Sequence, residues 1–189
     1  LKNENPAVNY CFTTSSHYQL DQSYIQKSTN SSREESVLLS SRSLLSSPSH
    51  HKGLLGEERF VQALALCNSV QLGNYKTTLS LEDIAIEDLL EKIGVKTSKD
   101  GDYLLLANSE TVQSFKVLKS QPSKSSKVRV LVENSGSFCL FVRGTKQSME
   151  GILEEQDFGS GVPICYAATP LSREEVDQLL RDYDYAASV

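Results

Sequence analysis

Residues 127–153 read KVRVLVENSGSFCLFVRGTKQSMEGIL. Two apolar runs, Val128–Val132 and Phe138–Val142, flank Asn134-Ser135-Gly136-Ser137. Strand formers on both sides of turn-forming residues predict a β-hairpin. Its second strand leads into Arg143-Gly144-Thr145-Lys146, after which Met149, Ile152 and Leu153 recur at helical spacing. The pattern predicts a basic turn between a strand and a helix N-terminus, where unpaired N–H groups and the helix dipole favour a phosphate or carboxylate. Gly and Thr are equally what an ordinary strand-to-helix turn uses, so the turn by itself assigns no ligand.

The chain has 189 residues, 39% of them apolar, and a net charge of −5. Its basic residues do not gather into a stripe interleaved with aromatics, which argues against nucleic acid as a partner. No apolar run approaches the roughly eighteen residues a membrane span requires, so no direct membrane insertion is expected. The opening Leu1-Lys2-Asn3-Glu4-Asn5-Pro6 has no initiator Met, apolar signal core or cleavage site, which predicts a segment from inside a longer protein. Four cysteines, Cys11, Cys67, Cys139 and Cys165, form no C-x-x-C pair and have no His at ligand spacing. Reduced thiols in a cytosolic setting are the expectation, with Cys67 and Cys139 as core residues.

Outward from the hairpin the chain divides into three parts. Residues 1–27 read as a linker with a short strand at Tyr10–Thr14, and 28–56 as a Ser-rich mobile insertion too poor in apolar side chains to offset its ordering entropy. His50, His51 and the isolated His17 lack further ligands nearby, so solvated loop outweighs metal binding. Residues 57–189 read as one α+β domain. Phe60, Leu64, Cys67 and Val70 predict a helix over Glu57–Val70. Ser80-Leu81-Glu82-Asp83 has the S-x-x-D spacing of a capping box, with Ile86, Leu89, Leu90 and Ile93 on one face and Gly94 as a stop. Strands are expected at Tyr103–Leu106 and Val112–Leu118, followed by a loop over Lys119–Ser126. An irregular loop holds Gly159, Gly161 and Pro163, and a second capping box, Ser172 with Glu175, opens a last helix bearing Val176, Leu179, Leu180 and Tyr183. The expected order is two helices, four strands and two helices, an antiparallel β-sheet with helices packed on it.

Several of these stretches together resemble the nucleotide-binding domain of P-type ATPases, most closely that of the phospholipid-translocating flippases. Phe60-Val-Gln-Ala-Leu-Ala-Leu-Cys-Asn-Ser-Val70 is similar to their F-F-x-A-L-A-L-C-H-T-V helix, and Ser80–Gly94 follows their S-P-D-E-x-A-L-V-x-A-A-x-x-x-G pattern. Arg143-Gly144-Thr145 falls where the family has K-G-A. Leu1-Lys2-Asn3-Glu4, with Cys11 and Tyr18 after it, resembles the L-T-x-N-x-M segment that follows the phosphorylated-aspartate motif D-K-T-G-T, and Ser172–Ala187 stands where the family has the helix before G-L-R-T-L. The match covers nearly the whole chain in order, interrupted by the Ser-rich insertion.

The resemblance implies a cytoplasmic domain of an integral membrane protein, monomeric in isolation, whose partners are ATP and the remaining domains of the parent transporter. It would bind ATP, with Mg2+ carried on the nucleotide, and present the γ-phosphate to an Asp outside this sequence. It also implies roles by position. Arg143 stands for the Lys that contacts the nucleotide, Gly144 lets the nucleotide approach the backbone, Thr145 completes the turn, and Asp83 takes the Glu position of S-P-D-E. The adenine-stacking Phe of the family's E-F-N-S motif falls near Ser120, where no aromatic stands, so Phe115 or Tyr103 is the expected substitute. Lost stacking is worth about 1–3 kcal/mol, or roughly tenfold to a hundredfold in affinity. Arg in place of Lys exchanges a point donor for a planar fork. These departures keep open a degenerate domain serving as a regulatory or protein-interaction module in a larger membrane protein, with phosphorylation in the Ser-rich segment. A third reading is an unrelated α+β domain with capping boxes and a hairpin.

Overall fold

A computed structural model describes Val8 and residues 10–12, 17–19, 42–44, 57–72, 80–121, 127–149 and 162–188. Three short strands, β1 (Tyr10–Phe12), β2 (His17–Gln19) and β3 (Arg42–Leu44), form one small sheet, antiparallel between β1 and β2 and parallel between β2 and β3. Strand β3 falls inside the segment expected to be a mobile insertion, and the rest of 28–56 lies outside the described residues. Two helices follow, α1 (Glu58–Leu72) and α2 (Leu81–Lys92). Next come six strands, β4 (Lys96–Asp100), β5 (Tyr103–Ala107), β6 (Val112–Gln121), β7 (Lys127–Asn134), β8 (Ser137–Thr145) and β9 (Ile164–Leu171), and then α3 (Arg173–Ser188). The six strands make one antiparallel meander in chain order.

The central hairpin forms as its sequence dictates. Asn134 pairs with Ser137 across a two-residue loop, with φ of 50° at Ser135 and 80° at Gly136, the backbone of a type I′ turn whose twist matches the strands. Along β8, Cys139, Phe141 and Arg143 alternate toward one face, and the register places Val132, Val130 and Val128 of β7 beside them. Helix α1 lies on this face, packed against α2 and across β5, β7, β8 and β9. Every residue from Val61 to Asn68 is buried, so α1 is covered on more than the single stripe expected of an amphipathic helix. On the other face Leu131 is only 1% exposed, while Leu140 and Val142 beside it on β8 are half-buried.

Helix α2 begins and ends by two local devices. Ser80 and Asp83 make both bonds of the capping box. At the far end Val95 N–H reaches Leu90 O and Gly94 N–H reaches Glu91 O, a Schellman motif with Gly94 at φ 75°. Helix α3 opens on the second expected capping box, in which Ser172 N–H donates to Glu175 at 2.7 Å and Glu175 N–H to Ser172 Oγ at 3.2 Å. Its Val176 is 2% exposed.

Two strands of the six-stranded sheet have no counterpart among the expected elements. Strand β4 is Lys-Thr-Ser-Lys-Asp, with no aliphatic side chain, and forms because it pairs residue by residue with β5 at the sheet edge. Strand β9 follows the glycines at 159 and 161 and was expected to be loop, yet it pairs along its whole length with β8. The basic turn also differs from expectation. Strand β8 continues through Thr145, and a single 3-10 turn, Gln147–Met149, takes the place of the start of the expected helix. Cross-strand pairing of Arg143, Gly144 and Thr145 with Tyr166, Cys165 and Ile164 outweighs the helical spacing. Ile152 and Leu153 lie outside the described residues. Likewise β6 runs on to Gln121 through part of the expected loop, and 122–126 lie outside the described residues. No helix among the described residues is long and apolar enough to cross a membrane.

Phe141 is fully buried on the helix face, whereas Val142, its neighbour on the other face, is half-buried. Phe141→Ala is expected to destabilise by about 3–5 kcal/mol and Val142→Ala by less than half of that. Urea unfolding of the two variants measures the difference, and equal losses would contradict the face assignment.

Candidate functional site

The residues that converge are Asp83 and Arg143, sixty positions apart in sequence. The α2 capping box fixes Asp83, because Ser80 N–H and Ser80 Oγ donate to its Oδ2 at 3.1 and 2.8 Å while its own N–H donates to Ser80 Oγ at 3.1 Å. Its other oxygen, Oδ1, accepts from Arg143 Nη1 at 2.5 Å. Strand β8 brings Arg143 to the helix face by alternation with Phe141, and both members of the pair are buried, Asp83 at 4% exposure and Arg143 at 8%. The sequence reading explains Asp83 fully as a capping residue, and the structure gives its second oxygen a separate task.

Burial alone would raise the Asp83 carboxyl, but hydrogen bonds from Arg143 and Ser80 and the guanidinium charge outweigh it and hold the group below its ordinary value of 3.8. Burial likewise opposes the Arg143 charge, and Tyr166 and Asp83 together reverse that effect. Both groups are ionised at neutral pH, so the pair carries no net charge.

Beside the pair stands a polar group that the sequence did not suggest. Tyr166 stands opposite Arg143 in the β8–β9 register, its ring edge-on to Phe60 with centroids 6.2 Å apart. Its hydroxyl is inaccessible to solvent and has no hydrogen-bond partner among the described residues, and burial pushes its pKa well above the ordinary phenol range. Asn68 of α1 is 1% exposed, and its side-chain oxygen is also without a partner among the described residues. Cys67 is fully buried near Arg143, and burial pushes its thiol up to about 12 despite that cation. A thiol so protonated is no nucleophile at neutral pH. Tyr166 has no signal in the sequence because its segment follows Gly159, Gly161 and Pro163 and becomes a strand only by pairing with β8.

The remaining expected residues divide. Gly144 is buried, and a Cβ built on it would meet Ser148 Oγ at 2.5 Å and Met149 Cγ at 3.0 Å. Its close approach is therefore to the following 3-10 turn of its own chain. Thr145 is exposed and holds that turn, its Oγ1 accepting from Ser148 N–H at 3.2 Å and its carbonyl from Ser148 Oγ at 3.0 Å. Ser120 pairs with Val130 beyond a register shift between Val117 and Lys119, which puts it, exposed, on the same face as Arg143. Phe115 shares that face but is 2% exposed inside the main core, so it has no free ring face for stacking. Tyr103, next to the inward-facing Leu104, belongs to the opposite face. Neither ring stands in for the missing aromatic as expected.

The arrangement holds charges in place and contains no nucleophile–base pair among the described residues. Nor do those residues include a group of three or more His, Cys, Asp and Glu able to hold a metal ion. No protein-family model matches the chain, and a search of curated proteins finds no match.

Breaking a buried ion pair from one side leaves an uncompensated charge, so Arg143→Ala is expected to cost about 3–5 kcal/mol. Because the Asp83 pKa is depressed in the fold, its contribution is fully present above 3.8 and is lost as pH falls below that value through the folded pKa. Urea unfolding across this acid range should show a loss of stability that is reduced in Asp83→Asn. Gly144→Ala is expected to cost about 1–3 kcal/mol by overpacking, and Ser148→Ala in the same chain should recover part of it. Thermal melts of the single and double variants check this.

Proposed function

We propose that this chain is the ATP-binding domain of a flippase-like P-type ATPase, positioning Mg-ATP for transfer of its γ-phosphate to an Asp outside the sequence. One observation carries the reading. The S-x-x-D and Arg143-Gly144-Thr145 stretches, each assigned to the nucleotide by a separate part of the resemblance, meet side chain to side chain through Asp83 and Arg143. The antiparallel sheet with α1 and α2 on one face agrees with the expected architecture.

The domain's contribution is binding and orientation. Only one Arg143 nitrogen is engaged by Asp83, so the planar fork retains donors for an anionic or acceptor group. Ser120 lies two strands away on the same face, on the order of 12 Å from Arg143 by strand spacing and rise. A nucleoside spans such a distance, with its phosphates directed away from the buried pair. No carboxylate cluster among the described residues suits Mg2+, so the metal arrives and leaves with the phosphates. Without an aromatic to stack on, affinity is weaker than in a complete site by about tenfold to a hundredfold.

A specific observation favours the second reading, a degenerate domain retained for regulation or protein contact. Phe115 is enclosed in the core and Asp83 already neutralises Arg143, so a ligand has to share a satisfied cation.

Titration with Mg-ATP, followed by backbone amide shifts, decides between them. The proposal expects saturable shifts at Ser80, Asp83, Ser120 and Arg143–Thr145 with a dissociation constant in the millimolar range, lost in a folded Arg143→Ala protein and kept in Arg143→Lys, which restores the Lys of K-G-A and keeps a charge for Asp83. A folded protein with no shifts at millimolar nucleotide would overturn ATP binding and leave the second reading.

A further inference from the structure

We infer that the cleft between the start of α1 and the β5–β6 loop is a binding site for an organic cation with an aliphatic stem. The cleft has a volume of about 440 Å3, within the usual range of small-ligand pockets of roughly 300–1,000 Å3. It lies at the far end of the sheet from Arg143, since Gln113 is at the beginning of β6 and Arg143 pairs with the beginning of β7. The inference does not depend on the nucleotide reading.

Its walls differ in chemistry. Val61, Val95 and Leu106 supply a buried apolar surface, and Gln62 and Gln113 a pair of carboxamides, with Glu58 and Glu110 exposed at the rim. Gln62 is itself 6% exposed, an unusual place for a carboxamide. It is held by Arg59, which donates to its Oε1 at 3.3 Å, and it donates in turn to Gln113 Oε1 at 3.2 Å. Glu58 Oε1 accepts from Gln62 Nε2 at 3.4 Å and from Gln113 Nε2 at 2.5 Å. Both amide donors thus converge on one oxygen of Glu58, which leaves Oε2 with no protein donor among the described residues. The carboxylate makes no ion pair with any described residue, and no Lys, Arg or His is among the described residues lining the cleft.

A carboxylate in the first turn of a helix complements the dipole, which accounts for the sign of Glu58. It does not account for two neutral amides from separate elements fixing that carboxylate at the mouth of a cleft with an aliphatic wall. An ammonium or guanidinium group placed at Glu58 Oε2 completes its hydrogen bonding with a charge-assisted bond, and an aliphatic stem fills the apolar side. An anion faces two carboxylates, and a purely apolar ligand leaves the rim unmatched. Two sources present this chemistry, a free alkylamine or alkylguanidine, and a Lys or Arg side chain of a protein segment.

The test is titration of the full chain with butylamine, with agmatine and with a short Arg-containing peptide of otherwise neutral residues. The side-chain amide resonances of Gln62 and Gln113 report directly on the site. The inference expects saturable shifts of both with each cation, none with butyrate, and at least about a tenfold loss of affinity in Glu58→Gln, which keeps an acceptor for the two amides. Glu110→Gln, an exposed change, should weaken binding less. Tighter binding of the peptide identifies a protein segment as the source, and tighter binding of agmatine a free cation. No shifts at millimolar cation, or unchanged affinity in a folded Glu58→Gln protein, would overturn the site.

Discussion

A guanidinium cannot remain charged between a helix layer and a β-sheet unless an anion is brought in with it. That constraint links the two halves of this domain. Arg143 reaches the helix face because it alternates with Phe141 and Cys139 on β8, and it is tolerated there because the α2 capping box aims Asp83 at it. The capping box and the ion pair use different oxygens of one carboxylate, so the start of α2 and the end of β8 are fixed by the same group. Beside the pair, Cys67 on α1 and Val128 on β7 are both buried. A pair in such surroundings contributes less to net stability than to specificity, because only one placement of α2 on the sheet satisfies both charges.

The same geometry bears on function. A cation already engaged by a buried carboxylate is a selective contact, not an open anion trap, and a ligand gains from it only through the donors Asp83 leaves unused. The buried Tyr166 hydroxyl, on the residue paired with Arg143, has no hydrogen-bond partner among the described residues. At the other end of the sheet the polar groups are arranged differently, with neutral amides around Glu58 and no ion pair to it among the described residues. Among the described residues, one end of the domain therefore carries a closed ion pair and the other a carboxylate held by amides.

Much of the fold was legible in the residues because it depends on local rules. The hairpin followed from Asn134–Ser137 between two β-forming runs, both capping boxes from S-x-x-D and S-x-x-E, and the end of α2 from Gly94. Each is decided by atoms within a few residues of one another. Strand β4 was not legible, because Lys-Thr-Ser-Lys-Asp has no strand pattern of its own and becomes one by pairing with β5. Met149 has the spacing of a helix, but pairing with β9 carries Arg143–Thr145 on as strand, and only one 3-10 turn follows. In both places a partner distant in sequence overrode a local preference.

The sequence by itself determined the class of the fold, two helices ahead of an antiparallel sheet with a capped helix at its end, because periodicity and capping are short-range physics. It also singled out Asp83 and Arg143 separately, one as a cap and one as a basic turn. Only the tertiary structure decided that they form a single buried pair, that Phe115 belongs to the core while Ser120 stays exposed on the same face, and that Tyr103 lies behind the sheet. The reason is strand register, which is set by long-range pairing and by the shift between Val117 and Lys119. A one-residue change in register reverses the face of every side chain beyond it, and no local pattern in the chain encodes that choice.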